Sequence, residues 1–312
     1  MLSRRNVRVK VMQVLYALNR VGEKVTASAA LSHYQLLVKN SFDLYLYNLL
    51  LLMRVAEYAR QDEIKKNTKL LPTEEDKAFT AKLANNEMMA SLAKNAGLNR
   101  LLSQYKTAQH IDADLVRRLY NEFAKTDEYR QYLAQAESTA EDHTSILLAL
   151  YRFLIGTEER EELIEDQFPL WSDDKSLVVG AMKKTLKALP AEENFYQEYQ
   201  PADDTIKEFG EEMLRYVINA DGELLKLIEP SLKNWDAERV AIIDMILLKM
   251  ALAELMLFPT IPTKVTLNEF VEISKQYSTD KSKDFINGIL DRLMKKMQQD
   301  GLIRKEGRGL VD

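Results

Sequence analysis

Chemistry has few places to reside in this chain. Its only histidines, His33, His110 and His143, are far apart and lack the spacing of a metal-ligand set or an acid–base pair. There is no cysteine, which removes thiol catalysis, disulfides, iron–sulfur ligation and Cys-type zinc sites. The phosphate-cradling patterns G-x-x-x-x-G-K-[ST] and G-x-G-x-x-G are missing, as are the nucleophile elbow G-x-S-x-G and the zinc motif H-E-x-x-H. The carboxylate run Glu158-Glu159-Arg160-Glu161-Glu162 reads as a solvated helix face whose acids favour a helix N-terminus. Trp171 and Trp235 read as packing anchors, with base stacking as the alternative. These residues predict no catalytic site, no metal site and no cofactor.

One cluster does carry a definite chemistry. Arg4, Arg5, Arg8, Lys10 and Arg20 give residues 1–20 a charge of +5, and the first acid is Glu23. A guanidinium offers planar, charged, multi-donor contacts to phosphate, and a basic chain end can order when RNA arrives. On charge alone, a merely solvated terminus explains the cluster equally well. Residues 275–312 add nine Lys/Arg against six acids, or +3, which leaves −13 for residues 21–274. The net charge of −5 would by itself argue against a nucleic-acid partner. Basic ends on an acidic middle reopen that possibility.

The elements that would position this cluster are helices. The chain has 312 residues, about two domains at roughly 150 residues each. It is 46% apolar and 29% charged, with a mean hydropathy of −0.31. Ten glycines and seven prolines are few for this length, and an all-α fold is predicted. Val7, Val11, Val14, Leu15 and Leu18 form one apolar stripe, with Arg5, Arg8, Met12 and Tyr16 along a neighbouring flank. Further helices are predicted over 28–66, 74–96, 112–134, 139–155, 158–167, 174–189, 204–232, 237–257, 264–277 and 281–299. Prolines and Gly97 punctuate them. The acidic, proline-flanked stretch 190–203 reads as a linker or interdomain turn, and the glycine-containing 300–312 as a flexible tail.

Two segments mimic membrane signals. The N-terminus has a basic start, a short apolar run and Ala27-Ser28-Ala29, but Gln13 interrupts the run and charges follow it. Leu44–Met53 is too short to span a bilayer and reads as a buried helix. A cytoplasmic protein without membrane contact is expected.

Residues 235–291 change the weight of the basic cluster. Trp235 and Arg239 lead into IIDMILLKMALAEL, followed by Ile261-Pro262-Thr263-Lys264-Val265, then LNEFVEISK, and then Phe285-Ile286-Asn287-Gly288-Ile289-Leu290-Asp291. This segment strongly resembles the NusB family of helical transcription antitermination factors, whose patterns include acid-x-x-I-L-x-[RK]-x-A-L-x-E-L, I-N-E-A-V-E-L-A-K and F-V-N-G-V-L-D. Arg4-Arg5-x-x-Arg8 before MQVLYAL resembles the family's arginine-rich first helix. The resemblance implies a helical bundle that binds boxA-like single-stranded RNA together with NusE, a small-subunit ribosomal protein, within the RNA polymerase antitermination complex during rRNA transcription. Carried over position by position, it implies RNA contact by Arg4, Arg5, Arg8, Lys264, Lys283, Phe285 and Asn287. It also implies contact with NusE by Tyr16 and Asp244.

The residues themselves are compatible with this. The predicted helix from Asp236 is apolar almost all round and belongs at the centre of a bundle, and its charged Asp244 and Lys249 should reach an exposed or contact surface. Ile286, Leu290, Leu293 and Met297 form the core face of the last helix, and Gly288 suggests close approach by a neighbour. Phe285 and Asn287 lie off that face, placed to stack on or hydrogen-bond to a base, with capping and packing as the alternative. Typical family members are less than half this length. The domain reading is therefore a basic first helix at 1–20, a helical insertion of unknown role at 21–203, a family core at 204–299 and a tail at 300–312. The chain runs about twenty residues past FINGILD, so an appended rRNA methyltransferase domain is not expected. A protein-interaction scaffold without RNA binding remains the rival reading.

Overall fold

The computed structural model describes residues 1–21, 26–168, 170–232 and 240–310, and every regular element among them is helical. The first helix, α1 (Arg4–Val21), starts where the Ser3 hydroxyl and backbone N–H both donate to Asn6 Oδ1, at 2.6 and 3.0 Å. Its predicted stripe is its buried face, with Val7, Val11 and Val14 fully enclosed. The long helix α2 (Ala27–Asn67) contains the apolar run at 44–53, and no helix among the described residues is long and apolar enough to cross a membrane.

The next elements are α3 (Glu74–Ala78), α4 (Glu87–Ala93), α5 (Ala96–Gln104), α6 (Ala113–Phe123), α7 (Asp127–Ala134), α8 (Ala140–Ile155), α9 (Glu158–Gln167) and α10 (Trp171–Lys187). A π-helical segment, Asp204–Glu211, runs into α11 (Glu212–Asn219), followed by α12 (Asp221–Ile228), α13 (Ile242–Leu257), α14 (Thr263–Tyr277) and α15 (Ser282–Gln299).

Side-chain caps explain where the predicted helices break. The helix expected over 74–96 is broken: α3 ends where Phe79 turns extended, and Asn86 Oδ1, accepting from the Met88 and Met89 N–H groups, starts α4 afresh before α5 begins at Ala96. Thr126 does the same at the start of α7, dividing the expected 112–134. Gly97, read as a breaker, instead lies within α5, where an added Cβ would sit 2.5 Å from Tyr196 Oη. The expected 204–232 begins as π-helix and is interrupted at Ala220. Trp235, Arg239 and the start of the expected 237–257 helix lie outside the described residues.

Backbone contacts divide the chain into two compact units. One holds Met1 and residues 40–200, around an aromatic-rich core that includes Phe42, Tyr45, Tyr47, Tyr120, Phe123 and Trp171. The other holds residues 2–39 and 201–312. The boundary at Gln200 falls inside the stretch read as a linker, whereas the boundary at Lys39 falls within α2. Residues 26–39, expected in the insertion, thus belong with the second unit. At the centre of that second unit, α13 packs against α1, α11, α12, α14 and α15. Ile246, Leu247, Leu248, Met250, Ala251, Leu252, Ala253 and Leu255 are all buried, as an all-round apolar helix requires.

The tail read as flexible is held to the core. Gly301, at φ +68°, turns the chain after α15, and the Glu306 N–H donates to Pro259 O at 3.0 Å. Gly288 departs from expectation in the opposite way. It is exposed, and an added Cβ would meet nothing within 4 Å, so no helix approaches it. At Gly210, by contrast, a Cβ would lie 1.9 Å from Tyr34 Oη and 2.6 Å from Val7. Urea unfolding should therefore separate the two glycines. Gly210→Ala is expected to lose about 1–3 kcal/mol by overpacking, and Gly288→Ala to gain about 1 kcal/mol in helix propensity.

Candidate nucleic-acid interface

α1 presents three arginines in its first two turns, with no acid in its first turn to balance them or the positive end of the helix dipole. The compensation comes from α13 and α14. Arg8 is buried and forms a two-pronged pair with the fully enclosed Glu254, Nε to Oε2 at 2.6 Å and Nη2 to Oε1 at 2.7 Å. Its third nitrogen, Nη1, donates to Glu269 Oε2 at 3.3 Å. The Thr266 hydroxyl donates to Glu254 Oε1 at 2.9 Å, and the Arg8 guanidinium lies over the rings of Phe209 and Phe270 at 5.2 and 5.8 Å. The expectation that Arg8 contacts RNA phosphate is therefore revised, since the side chain is buried and each of its three nitrogens already meets a carboxylate within the protein. Lys10, counted in the same basic cluster, is buried as well.

Arg5 is half-exposed but also paired. Its Nε and Nη2 donate to Glu269 at 2.8 and 2.6 Å. That hydrogen-bonded arginine, with Arg8 adding charge, holds the Glu269 carboxyl below its ordinary range. Arg4 is exposed and lies 5.4 Å from the Phe209 ring centroid, and among the described residues it is in no ion pair. Lys264, in the first turn of α14, is exposed next to Val265, itself 43% exposed. Ser3, Arg4, Arg5 and Arg8 line one side of a groove of about 500 Å³, with Ile261, Pro262 and Val265 on the other.

On α15 the predicted core stripe holds: Ile286, Leu290, Leu293 and Met297 are buried, joined by Ile289. Lys283 and Asn287 are one turn apart on the exposed side, while Phe285 is half-buried. Glu272 on α14 links this face electrically to α1. Its carboxyl is held low chiefly by a hydrogen bond from Lys275, with Arg5 and Lys283 contributing through their charges.

Of the two expected protein-contact residues, Tyr16 is half-buried on α1. Asp244 departs from expectation. Its carboxylate is 5% exposed and accepts from the hydroxyls of Ser278 at 2.6 Å and Ser282 at 2.7 Å. It ties the first turn of α13 to the turn between α14 and α15. Lys249, the other charge of that helix, reaches Asp221 at 2.5 Å.

Sequence reasoning passed over Glu254, Glu269, Phe209, Ser278 and Ser282. A signal for Glu254 was available, because an acid within an all-apolar helix demands a buried counter-charge. Among the described residues no group of three or more His, Cys, Asp or Glu is placed to hold a metal ion.

Comparison with known proteins brings these elements into one frame. Residues 175–295 match the family model described as NusB family. The chain is 41% identical over 111 residues to the transcription antitermination protein NusB of Chloroherpeton thalassium, covering 36% of this chain and 53% of that protein. It is 38% identical over 109 residues to that of Salinibacter ruber, 35% of this chain and 68% of the relative. For Geobacter sulfurreducens NusB the figures are 34% over 115 residues, 37% and 83%. No solved structure matches.

Removing the Arg8 side chain would leave Glu254 enclosed without its cation. Arg8→Ala is expected to cost about 3–5 kcal/mol in urea unfolding. Glu269 has its own pH signature. A carboxyl whose folded pKa is depressed contributes stability that is fully present above its unfolded value and is lost as pH falls through the folded one. Stability should therefore hold at neutral pH and decline on acidification below the ordinary glutamate range. Glu269→Gln should make that decline shallower, as followed by thermal melting between pH 7 and pH 3.

Proposed function

Because the chain belongs to the NusB family, we propose that it is a non-enzymatic transcription antitermination factor that binds boxA-like single-stranded RNA together with NusE, as part of an RNA polymerase antitermination complex in rRNA transcription. One observation carries the RNA part of this reading. Arg4 on α1, Lys264 at the start of α14, and Lys283 with Asn287 on α15 are all exposed, on three elements packed around one helical core. Exposed cations on such neighbouring elements can follow a phosphate backbone, while Asn287 and the half-buried Phe285 supply an amide and a ring for a base. Arg5 joins them if phosphate displaces Glu269, and Arg8 acts by holding α1 in place. Tyr16 serves the NusE face, and Asp244 supports the complex from within by fixing the α14–α15 turn.

A scaffold that binds protein and not RNA has one observation in its favour: two of the three N-terminal arginines are already paired with carboxylates. Titration of a boxA-type RNA over a range of salt, with and without NusE, separates the two. The RNA reading predicts binding whose log–log salt slope falls by about 2 for the triple variant Arg4/Lys264/Lys283→Ala, at about 0.7 for each phosphate left without its cation. Absence of RNA binding in both conditions would favour the scaffold.

A further inference from the structure

The groove beside α1 has a fourth arginine, which comes from the far end of the chain. Arg308 lines it together with Arg4, Arg5 and Arg8. It lies beyond residue 295, where the family match ends. We propose that Arg308 is a phosphate-binding residue for single-stranded RNA, delivered to the α1 groove by a tail folded for that purpose. This rests on the RNA-binding reading above and adds to it a contact outside the family segment.

The tail is placed by a series of specific contacts. After α15, Gly301 adopts φ +68°, while its N–H donates to Gln298 O at 3.2 Å and the Leu302 N–H donates to Met297 O at 2.9 Å. This left-handed cap reverses the chain at a position where glycine carries no Cβ penalty. The reversed segment then docks on the turn that precedes α14. Lys305 Nζ donates to Phe258 O at 3.1 Å, and the Glu306 N–H donates to Pro259 O at 3.0 Å. A short 3₁₀ turn, Gly307–Leu310, follows, with Gly307 at φ +54°. Within it Gly309 is buried so closely that an added Cβ would lie 1.9 Å from Pro259 O. Between these two glycines, Arg308 is exposed and, among the described residues, in no ion pair.

The ligand class follows from the lining. Arg5 and Arg8 are neutralised by Glu269 and Glu254, which leaves the exposed Arg4 and Arg308 as the uncompensated charges of the lining, so the groove attracts anions. Its other wall is Ile261, Pro262 and the exposed Val265, an apolar surface against which a base can lie. A strand with alternating charged and flat apolar parts satisfies both walls, as single-stranded RNA does and a free inorganic anion does not.

The test measures boxA-type RNA binding by the full chain between 50 and 200 mM salt, for wild type, Arg308→Ala, Arg308→Lys and Gly309→Ala, with thermal melting to check the fold. Arg308→Ala is expected to lower the log–log slope by about 0.7, so that the wild-type advantage shrinks about 2.6-fold across that range. Arg308→Lys should keep the wild-type slope. Gly309→Ala retains the charge but forces the tail off Pro259, and should lose the slope as Arg308→Ala does. Wild-type affinity and slope in Arg308→Ala would overturn the inference while leaving the RNA reading intact. A wild-type slope in Gly309→Ala would overturn the docked-tail part, and no RNA binding by the wild type would overturn both.

Discussion

The buried pair of Arg8 and Glu254 is the constraint around which the second unit is arranged. Removing two charges from water costs several kcal/mol per ion, and only near-complete satisfaction of their donors and acceptors offsets that. Here the satisfaction draws on four elements. Glu254 of α13 receives two guanidinium nitrogens and the Thr266 hydroxyl of α14, Arg8 of α1 gives its third nitrogen to Glu269, and Phe209 of the π-helical segment covers the cation. Fixing Arg8 inward also fixes the rotation of α1. One turn earlier, Arg4 is then left at the exposed edge, and Arg5 is set beside Glu269. The arginine that does not reach solvent determines which ones do.

An arginine-rich helix is therefore a poor measure of a cationic surface. Of the residues that make positions 1–20 basic, Arg8 and Lys10 are buried and Arg5 is paired. Exposed cations of this unit come instead from Arg4 and, among others, from Lys264 at the start of α14, Lys283 on α15 and Arg308 in the tail. The net charge of −5 says little about such a face, because fields act locally and acids elsewhere are screened within about a Debye length.

What could be read from the sequence was periodic. The all-α class, the apolar stripe of α1, the central position of α13 and the core face of α15 all follow from spacing along a single helix. What could not be read depended on partners far along the chain. Asp244 looked like a surface acid because Ser278 and Ser282, which draw it inward, lie more than thirty residues away. The breaks before α4 and α7 arose where Asn86 and Thr126 hydrogen bonds outcompeted continuation of the helix, and periodicity does not register that competition. Gly97 and Gly210 marked close packing against tyrosines, while Gly288 marked open surface, and composition cannot tell these roles apart. The boundary inside α2 left no trace at all, because a helix that passes from one unit to the other carries no turn residues there.

Asp244 and Glu254 together give α14 its placement. Both belong to α13, ten positions apart, and each turns its carboxylate toward hydroxyls at one end of α14: Glu254 toward Thr266 near the start, Asp244 toward Ser278 just past the end. A helix held at both termini by enclosed hydrogen bonds has little freedom to slide or rotate. The same contacts orient its neighbours, since Glu269 meets α1 one turn after Thr266 and Ser282 opens α15 one residue before Lys283. An all-round apolar helix would pack without these two acids, and by area alone would pack better. Their presence in α13 is explained by register: apolar contacts tolerate small shifts, whereas a carboxylate with fixed donors permits one alignment of α1, α14 and α15, and with it one arrangement of the exposed cations.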